Sequence, residues 1–218
     1  ELGIGNLVFE DTNGSGFADS NEGVDGVTVE LYHEGQTPGV DIPLLTTQTT
    51  DGGKYLFPYI WEGHYIVHIP ASQFSESGML RGTTSVPGVA GGDDDAGEDS
   101  IDVPQPWITG LSTGVIVMTK HSSPTNSGLE TGYDRTSDDA MDDQFNLTVD
   151  IGVYRPVAVG NLVFNDYNTN GRADAGEGVD GVTVELYRST DVIGVDAPME
   201  TTVTANGGKY LFFELRAG

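Results

Sequence analysis

The chain repeats itself at one fixed distance. Gly5-Asn6-Leu7-Val8-Phe9 returns as Gly160-Asn161-Leu162-Val163-Phe164, and Asp25-Gly26-Val27-Thr28-Val29-Glu30-Leu31-Tyr32 returns as Asp180-Gly181-Val182-Thr183-Val184-Glu185-Leu186-Tyr187. Gly52-Gly53-Lys54-Tyr55-Leu56-Phe57 likewise returns as Gly207-Gly208-Lys209-Tyr210-Leu211-Phe212, and all three pairs are 155 residues apart with no insertion or deletion. Self-similarity of this kind constrains the fold strongly, because local structure built by the first copy must be built again by the second. The second copy can be followed to Gly218, which corresponds to Gly63. The reading is one complete unit, 1–155, followed by the N-terminal part of a homologous unit, 156–218.

Within the first unit the hydrophobic pattern is that of strands. Ile4 to Phe9 is short and apolar. Gly26 to Tyr32 alternates, with Val27, Val29 and Leu31 on one face and Thr28, Glu30 and Tyr32 on the other. Thr46–Thr50 and Lys54–Phe57 flank Asp51-Gly52-Gly53, a hairpin signal. His64–Ile69 places Tyr65, Val67 and Ile69 inward, Gly114–Thr119 is a further strand, and Phe145–Tyr154 reads as one alternating closing strand. No stretch longer than about ten residues has helical periodicity. The fold class expected is all-β, an antiparallel Ig-like or prealbumin-like sandwich. Arg155-Pro156-Val157-Ala158 is a short proline-containing junction, expected to leave little freedom between units.

The second strong signal is Asp11-Thr12-Asn13-Gly14-Ser15-Gly16-Phe17-Ala18-Asp19-Ser20-Asn21-Glu22. Oxygen-bearing side chains stand at its positions 1, 3, 5, 9 and 12, and glycine stands at position 6. That is the spacing of a twelve-residue calcium loop. Asp11, Asn13 and Ser15 each offer one oxygen, Phe17 offers its main-chain carbonyl, and Asp19 binds directly or through water. Glu22 closes the shell with two oxygens. The same grammar returns at Asp166, Asn168, Asn170, Gly171, Asp174 and Glu177. One such match is easily an ordinary Asn/Gly turn; two at corresponding places read as Ca²⁺ sites.

Charge agrees with that reading. Asp and Glu total 34 against 9 Lys and Arg, a formal net charge of −25. Such a surface repels nucleic acid and anionic membranes and attracts hard cations. Hydrophobic residues at 37% supply a core, while 31 glycines and 10 prolines supply turns. Cysteine is absent, so a secreted chain of this kind would have to stabilise itself without disulfides, and metal is the candidate expected. No apolar run approaches the length of a membrane span. Glu1-Leu2-Gly3-Ile4 reads as a strand and not as a leader, as expected of a mature protein or a piece of a longer one.

Residues 72–144 form a long insertion of different character. Asp93, Asp94, Asp95, Glu98, Asp99 and Asp102 cluster in it, followed by Asp134, Asp138, Asp139, Asp142 and Asp143. Two readings stand side by side: a pool of ligands for one or two more calcium ions, or a solvated acidic loop.

Taken together, Gly-Asn-Leu-Val-Phe, the Asp-x-Asn-x-(Ser/Asn)-Gly-x-x-Asp-x-x-Glu loop and Gly-Val-Thr-Val-Glu-Leu-Tyr carry a family signature. With Gly-Gly-Lys-Tyr-Leu-Phe and the closing Leu-Thr-Val-Asp-Ile-Gly-Val-Tyr-Arg-Pro, the chain resembles the B-type repeats of bacterial serine–aspartate-repeat surface proteins. The resemblance covers both copies, most of 72–144 excepted. It implies a prealbumin-like, collagen-adhesin-B-like sandwich that binds calcium, repeated in tandem in a secreted or wall-displayed protein. It implies a stalk, spacer or filament role without enzymatic activity. Asp11, Asn13, Ser15, Phe17, Asp19 and Glu22 sit at that family's ligand positions, as do Asp166, Asn168, Asn170, Arg172, Asp174 and Glu177. Ser15 replaces the commoner Asn or Asp, so the first site is expected to be the weaker. Lys–Asn isopeptide bonds occur in relatives of this fold, but none is expected here, because no lysine stands near the start of the first strand.

Rival chemistries are poorly supported. Carboxylates are too numerous for a pair at glycosidase spacing to carry meaning. There is no Gly-x-Ser-x-Gly motif and no cysteine nucleophile. Of His33, His64, His68 and His121, the pair His64 and His68 shares a strand face, expected to point to solvent and not at a metal. Trp61, Trp107, Tyr59 and Tyr133 are expected in the core; on the surface they would form a sugar- or protein-binding platform, the alternative reading as an adhesin. The sequon Asn146-Leu147-Thr148 is expected to be silent. Residues 156–218 lack counterparts of His64–Ile69 and Phe145–Tyr154, so an adjacent copy or the continuing chain is expected to complete that half-sandwich.

Overall fold

A computed structural model describes residues 2–86, 101, 105–120 and 144–216. The chain divides into two compact units, with the boundary along the sequence between Arg155 and Pro156. The acidic ligand pool at Asp93–Asp102, the acids at 134–143, Tyr133 and His121 lie outside the described residues.

The described residues of the first unit form two five-stranded sheets. One has the order β4 (Lys54–Ile60), β1 (Leu2–Glu10), β10 (Ile151–Tyr154) and β6 (Thr84–Ser85), with β9 (Phe145–Asn146) also on β1. The other has the order β3 (Leu45–Gln48), β2 (Thr28–His33), β5 (Gly63–Ile69) and β7 (Leu111–Ser112), with β8 (Ile116–Met118) also on β5. Both enclose one hydrophobic cluster. Ile4, Val8, Phe57, Ile151 and Val153 come from the first sheet, and Val29, Leu31, Tyr65, Val67, Ile69 and Met118 from the second. The fold is all-β; among the described residues the helical elements are a 3₁₀ turn at Ala71–Phe74 and a single turn, α1, at Pro106–Thr109.

Strand β1 is central, with β4 antiparallel on one edge and β9 and β10 parallel on the other. That position explains why Leu2–Phe9 is buried throughout and does not alternate. The expected closing strand 145–154 is interrupted. Thr148 donates from its main-chain N and its Oγ1 to Asn146 Oδ1, at 3.2 and 2.9 Å, so the side chain of Asn146 takes hydrogen bonds that a ladder would otherwise hold. Burial of Asn146 and Thr148 also removes the sequon from solvent. The β3–β4 hairpin forms as expected, with positive φ at Asp51, Gly52 and Gly53 in succession.

Two other expectations fail. Tyr59, Trp61 and Trp107 are 72%, 84% and 51% exposed and do not enter the core. Tyr59 lies where β1 and β4 lose register between Leu2 and Ile4, and its φ of 63° turns the side chain outward. Secondly, His64 is exposed but His68 is buried. The outer face of β2 and β5 at His68 and Tyr32 is roofed by the loop after β2 and by α1, which strand alternation does not reveal.

In the second unit β11 (Val157–Leu162) pairs with β14 (Lys209–Leu215), and β12 (Thr183–Leu186) pairs with β13 (Glu200–Val203). The registers reproduce β1–β4 and β2–β3, including the irregularity, now with Glu214 at φ 58° in the place of Tyr59. Surroundings differ, however. Ile4 is fully buried, whereas its counterpart Val159 is 51% exposed.

Candidate metal centre

Each loop is a detour at the end of a strand. Phe9 bridges Gly23, Glu10 N donates to Glu22 O, and Asp11 N donates to Val153 O on β10 at 2.8 Å. The ends of 11–22 are therefore pinned to the sheet before any side chain acts. The second loop repeats the closure, with the Phe164–Gly178 bridge and Asn165 N donating to Glu177 O.

Inside the first loop Asp11 organises the backbone. Its Oδ1 accepts from Gly14 N and Ser15 N at 2.7 and 3.2 Å, and its Oδ2 accepts from Gly16 N at 2.9 Å. Gly16, at φ 85°, supplies the sharp turn expected of position 6. Asn13 Nδ2 and Ser15 Oγ both donate to Asp19 Oδ2, at 2.8 and 2.9 Å. Ser15 Oγ also lies 3.1 Å from the Phe17 carbonyl, which turns that oxygen inward although the Phe17 ring is exposed. Glu22 Oε1 accepts from Thr12 N and Thr12 Oγ1, and Oε2 accepts from Asp19 N. The structure thus gathers Asp11, Asn13, Ser15, Phe17, Asp19 and Glu22 into one network.

The second loop is built alike. Asp166 accepts from Asn170 N and Gly171 N, Asn168 Nδ2 and Asn170 Nδ2 both donate to Asp174 Oδ2 at 2.7 Å, and Glu177 accepts from Tyr167 N and Asp174 N. Arg172 N donates to Asn170 Oδ1, fixing the residue at the place of Phe17. Two details differ. Asp11 is buried but Asp166 is only half-buried, because the strand that covers Asp11 has no counterpart among the described residues. Thr169, where the first loop has Gly14, holds φ at 57°, a strained choice for a β-branched residue.

The electrostatics suit a hard cation. Hydrogen bonds from Asn13 and then Ser15 hold the Asp19 carboxyl below the usual carboxylate range, and Asn168 and then Asn170 do the same for Asp174. Both acids are therefore ionised at neutral pH. All donors are oxygens, the chemistry of calcium and not of a soft metal. Among the described residues no three His, Cys, Asp or Glu side chains form a metal site by themselves. An ion here would depend on the mixed set of carboxylate, amide, hydroxyl and main-chain oxygens. Asn13 and Asn168 would turn their amide oxygens inward, and Glu22 and Glu177 would exchange main-chain N–H partners for the ion.

Two supports of the loops escape a reading for ligands. Asp25 Oδ1 accepts from Gly52 N and Gly53 N at 2.8 and 2.7 Å, tying the segment after the loop to the hairpin, and Asp180 does the same with Gly207 and Gly208. Thr49 Oγ1 accepts from Val27 N and donates to Val24 O, a pattern repeated by Thr204 with Val182 and Val179. Recurrence at the fixed offset was the available signal for both.

Comparison with known proteins agrees with this architecture. The family model of the SdrD B-like domain matches residues 2–104 and 157–218. The chain is 32% identical over 219 residues to serine-aspartate repeat-containing protein D of Staphylococcus aureus (strain Newman), covering 99% of this chain and 13% of that protein. It is 31% identical over 220 residues to serine-aspartate repeat-containing protein C of Staphylococcus aureus (strain MRSA252), covering 99% of this chain and 18% of that protein. The chain thus spans less than a fifth of the length of either relative. With the repeated strand pairs, the repeated loops and a family match over both copies, the chain belongs to the SdrD B-like domain family.

Proposed function

We propose that this chain is a calcium-stabilised structural repeat of a secreted or cell-surface bacterial protein, serving as a stalk or filament-forming module without enzymatic activity. The observation that carries the reading is the pair of oxygen-lined loops, each pinned at both ends to a strand edge. Ca²⁺ held by Asp11, Asn13, Ser15, Phe17, Asp19 and Glu22 would fix the end of β1 against β10, since Asp11 itself hangs from Val153. Its counterpart would be held by Asp166, Asn168, Asn170, Arg172, Asp174 and Glu177. At ten times its dissociation constant each ion adds about 1.4 kcal/mol by mass action, so two ions are a sizeable share of a domain's stability.

The partners in this reading are adjacent copies of the same protein. Strands β11 and β12 carry the residues that β10 and β5 cover in the first unit, so a neighbour's strand or stacked fibre would bury them. Nucleic acid and membrane insertion play no part, given the charge.

Thermal unfolding in millimolar calcium, with chelator, and with magnesium tests the metal. A calcium-selective rise of several degrees is expected, halved by Asp11→Asn with Glu22→Gln; equal melting in all three would sink the proposal. Sedimentation at rising concentration tests the partner: reversible association is expected, and a monomer throughout would exclude it.

A second reading, a calcium-dependent adhesin for a glycan or protein, is favoured by the exposed Trp61, Tyr59 and Trp107. Binding to a glycan or matrix-protein panel that is abolished by Trp61→Ala or Trp107→Ala would establish it.

A further inference from the structure

His68 is the one buried histidine among the described residues, and the metal loops make no use of it. It projects from the outer face of β5. Its ring Nδ1 lies 2.8 Å from Ser112 Oγ on β7, and Tyr32 from β2 packs edge-on against it with ring centroids 5.9 Å apart. Nε2 is buried without a hydrogen-bond partner.

Two turns of backbone form the roof. One is the loop 37–41, in which Val40 N and Asp41 N both donate to Thr37 O and Asp41 Oδ2 accepts from Thr37 N. Gly39 N donates to Tyr32 OH, which donates in turn to Glu30 Oε2. The other is α1 with Gly110, closed by Gly110 N donating to Pro106 O. A Cβ on Gly110 would fall 2.4 Å from His68 Cε1, and one on Gly39 would fall 3.6 Å from Nε2 and 3.7 Å from Thr109 O. The main chain at Gly39 and Gly110 therefore approaches the imidazole from two sides, and both glycines hold a positive φ.

We propose that His68 is an acid-sensitive latch: while neutral it lets the loop 37–41 and the turn 106–110 close over the β2–β5 face, and on protonation it forces that roof open. The reason is geometric. A proton on Nε2 would point at Gly39 and its neighbours with no acceptor in hydrogen-bond reach, and a buried unpaired charge is costly. The ionisable groups around it are Glu30, its cross-strand partner on β2, Tyr32 beside it and Asp41 within the roof loop; Glu30 accepts from Tyr32 and Asp41 from Thr37 N, and none of the three hydrogen-bonds Nε2. Neither α1 nor β7 contributes a charged side chain.

Burial accordingly pushes the imidazole down from 6.5 to about 4, a main-chain hydrogen bond to Leu111 opposing this only in part. An opened roof lets the ring titrate normally, so the open form binds the extra proton between these values. Closure is therefore complete above the ordinary value and is lost as pH falls towards the depressed one. With those two values the ratio of open to closed roof rises roughly 20-fold between pH 7 and pH 5. Because Val40, Trp107 and Ile108 are exposed on the roof, its opening would also dismantle the apolar surface they present.

The test is hydrogen exchange of the 218-residue protein at pH 7 and pH 5, corrected for intrinsic rates, read at residues 37–41 and 106–112. Acid is expected to raise the opening ratio there by roughly that factor, and His68→Gln is expected to remove most of the pH dependence. Imidazole ¹⁵N shifts supply an independent readout, with His68 expected to stay neutral to well below pH 6. Titration of His68 near 6.5, or roof exchange with the same pH dependence in the variant, would overturn the proposal. Neither readout involves calcium, so the latch and the metal reading stand or fall separately.

Discussion

At the scale of single residues, the side chains that hold the two twelve-residue loops in place are not among the oxygens gathered inside them. Thr49 spans Val24 O and Val27 N with one hydroxyl, and it is 1% exposed. Valine would fill the same volume but leave Val27 N without its partner. Thr49→Val is therefore expected to cost about 1–3 kcal/mol, read from the urea midpoint and from faster exchange of the Val27 amide. Asp25 acts similarly from the surface, holding two successive glycine N–H groups. None of these positions looks like metal chemistry in isolation, and only their recurrence 155 residues later marks them.

At the scale of elements, the hairpin between β3 and β4 illustrates how little the residue type alone says. Gly52 and Gly53 both have positive φ, at 82° and 88°. A Cβ on Gly52 would enter open space, whereas one on Gly53 would meet Val8 O at 2.3 Å and Val24 N at 2.7 Å. Gly52→Ala is expected to cost roughly 1–2 kcal/mol for the left-handed backbone alone. Gly53→Ala should cost clearly more, because the hairpin must also separate from β1. Denaturant titration of the two variants side by side checks the order; equal losses would mean that the hairpin does not bear on β1. The bulge at Tyr59 and Glu214 adds a second case. One backbone irregularity carries an exposed aromatic in the first copy and an acid in the second, so the repeat preserves the bend and leaves the side chain to other demands.

At the scale of the whole molecule, identical local structure has two different surroundings. Ile4 and Val159 occupy the same position in β1 and β11, yet one is buried and the other is half exposed. Ile4→Ala is expected to cost about 2–5 kcal/mol, as buried truncations do, and Val159→Ala less than about 1 kcal/mol. Separate hydrogen-exchange readouts for each unit would report both. The same comparison predicts that amides of β11 and β12 exchange roughly a hundredfold faster than those of β1 and β2, since exposed edges open locally at little cost. Comparable protection in both units would mean that the second unit's open edges are covered in solution.

Repetition, strand periodicity and the twelve-residue spacing are local properties, and these the amino-acid order determined by itself. The all-β class, the β3–β4 hairpin and the hydrogen-bonded turns within each twelve-residue loop follow from backbone preferences acting within a few tens of residues. Tertiary structure decided the rest. The fate of a side chain on an outer sheet face depends on what crosses it, which alternation cannot encode; hence His68 is buried under a roof while Trp61 and Trp107 stay outside. The break between β9 and β10 depends on Asn146 and Thr148 finding each other in the interior, where side-chain hydrogen bonds compete with a ladder. Burial of Asp11, finally, comes from β10, a strand 140 residues further along the chain at Ile151. Contacts at that separation arise from the packing of the sheets, and no local pattern specifies them.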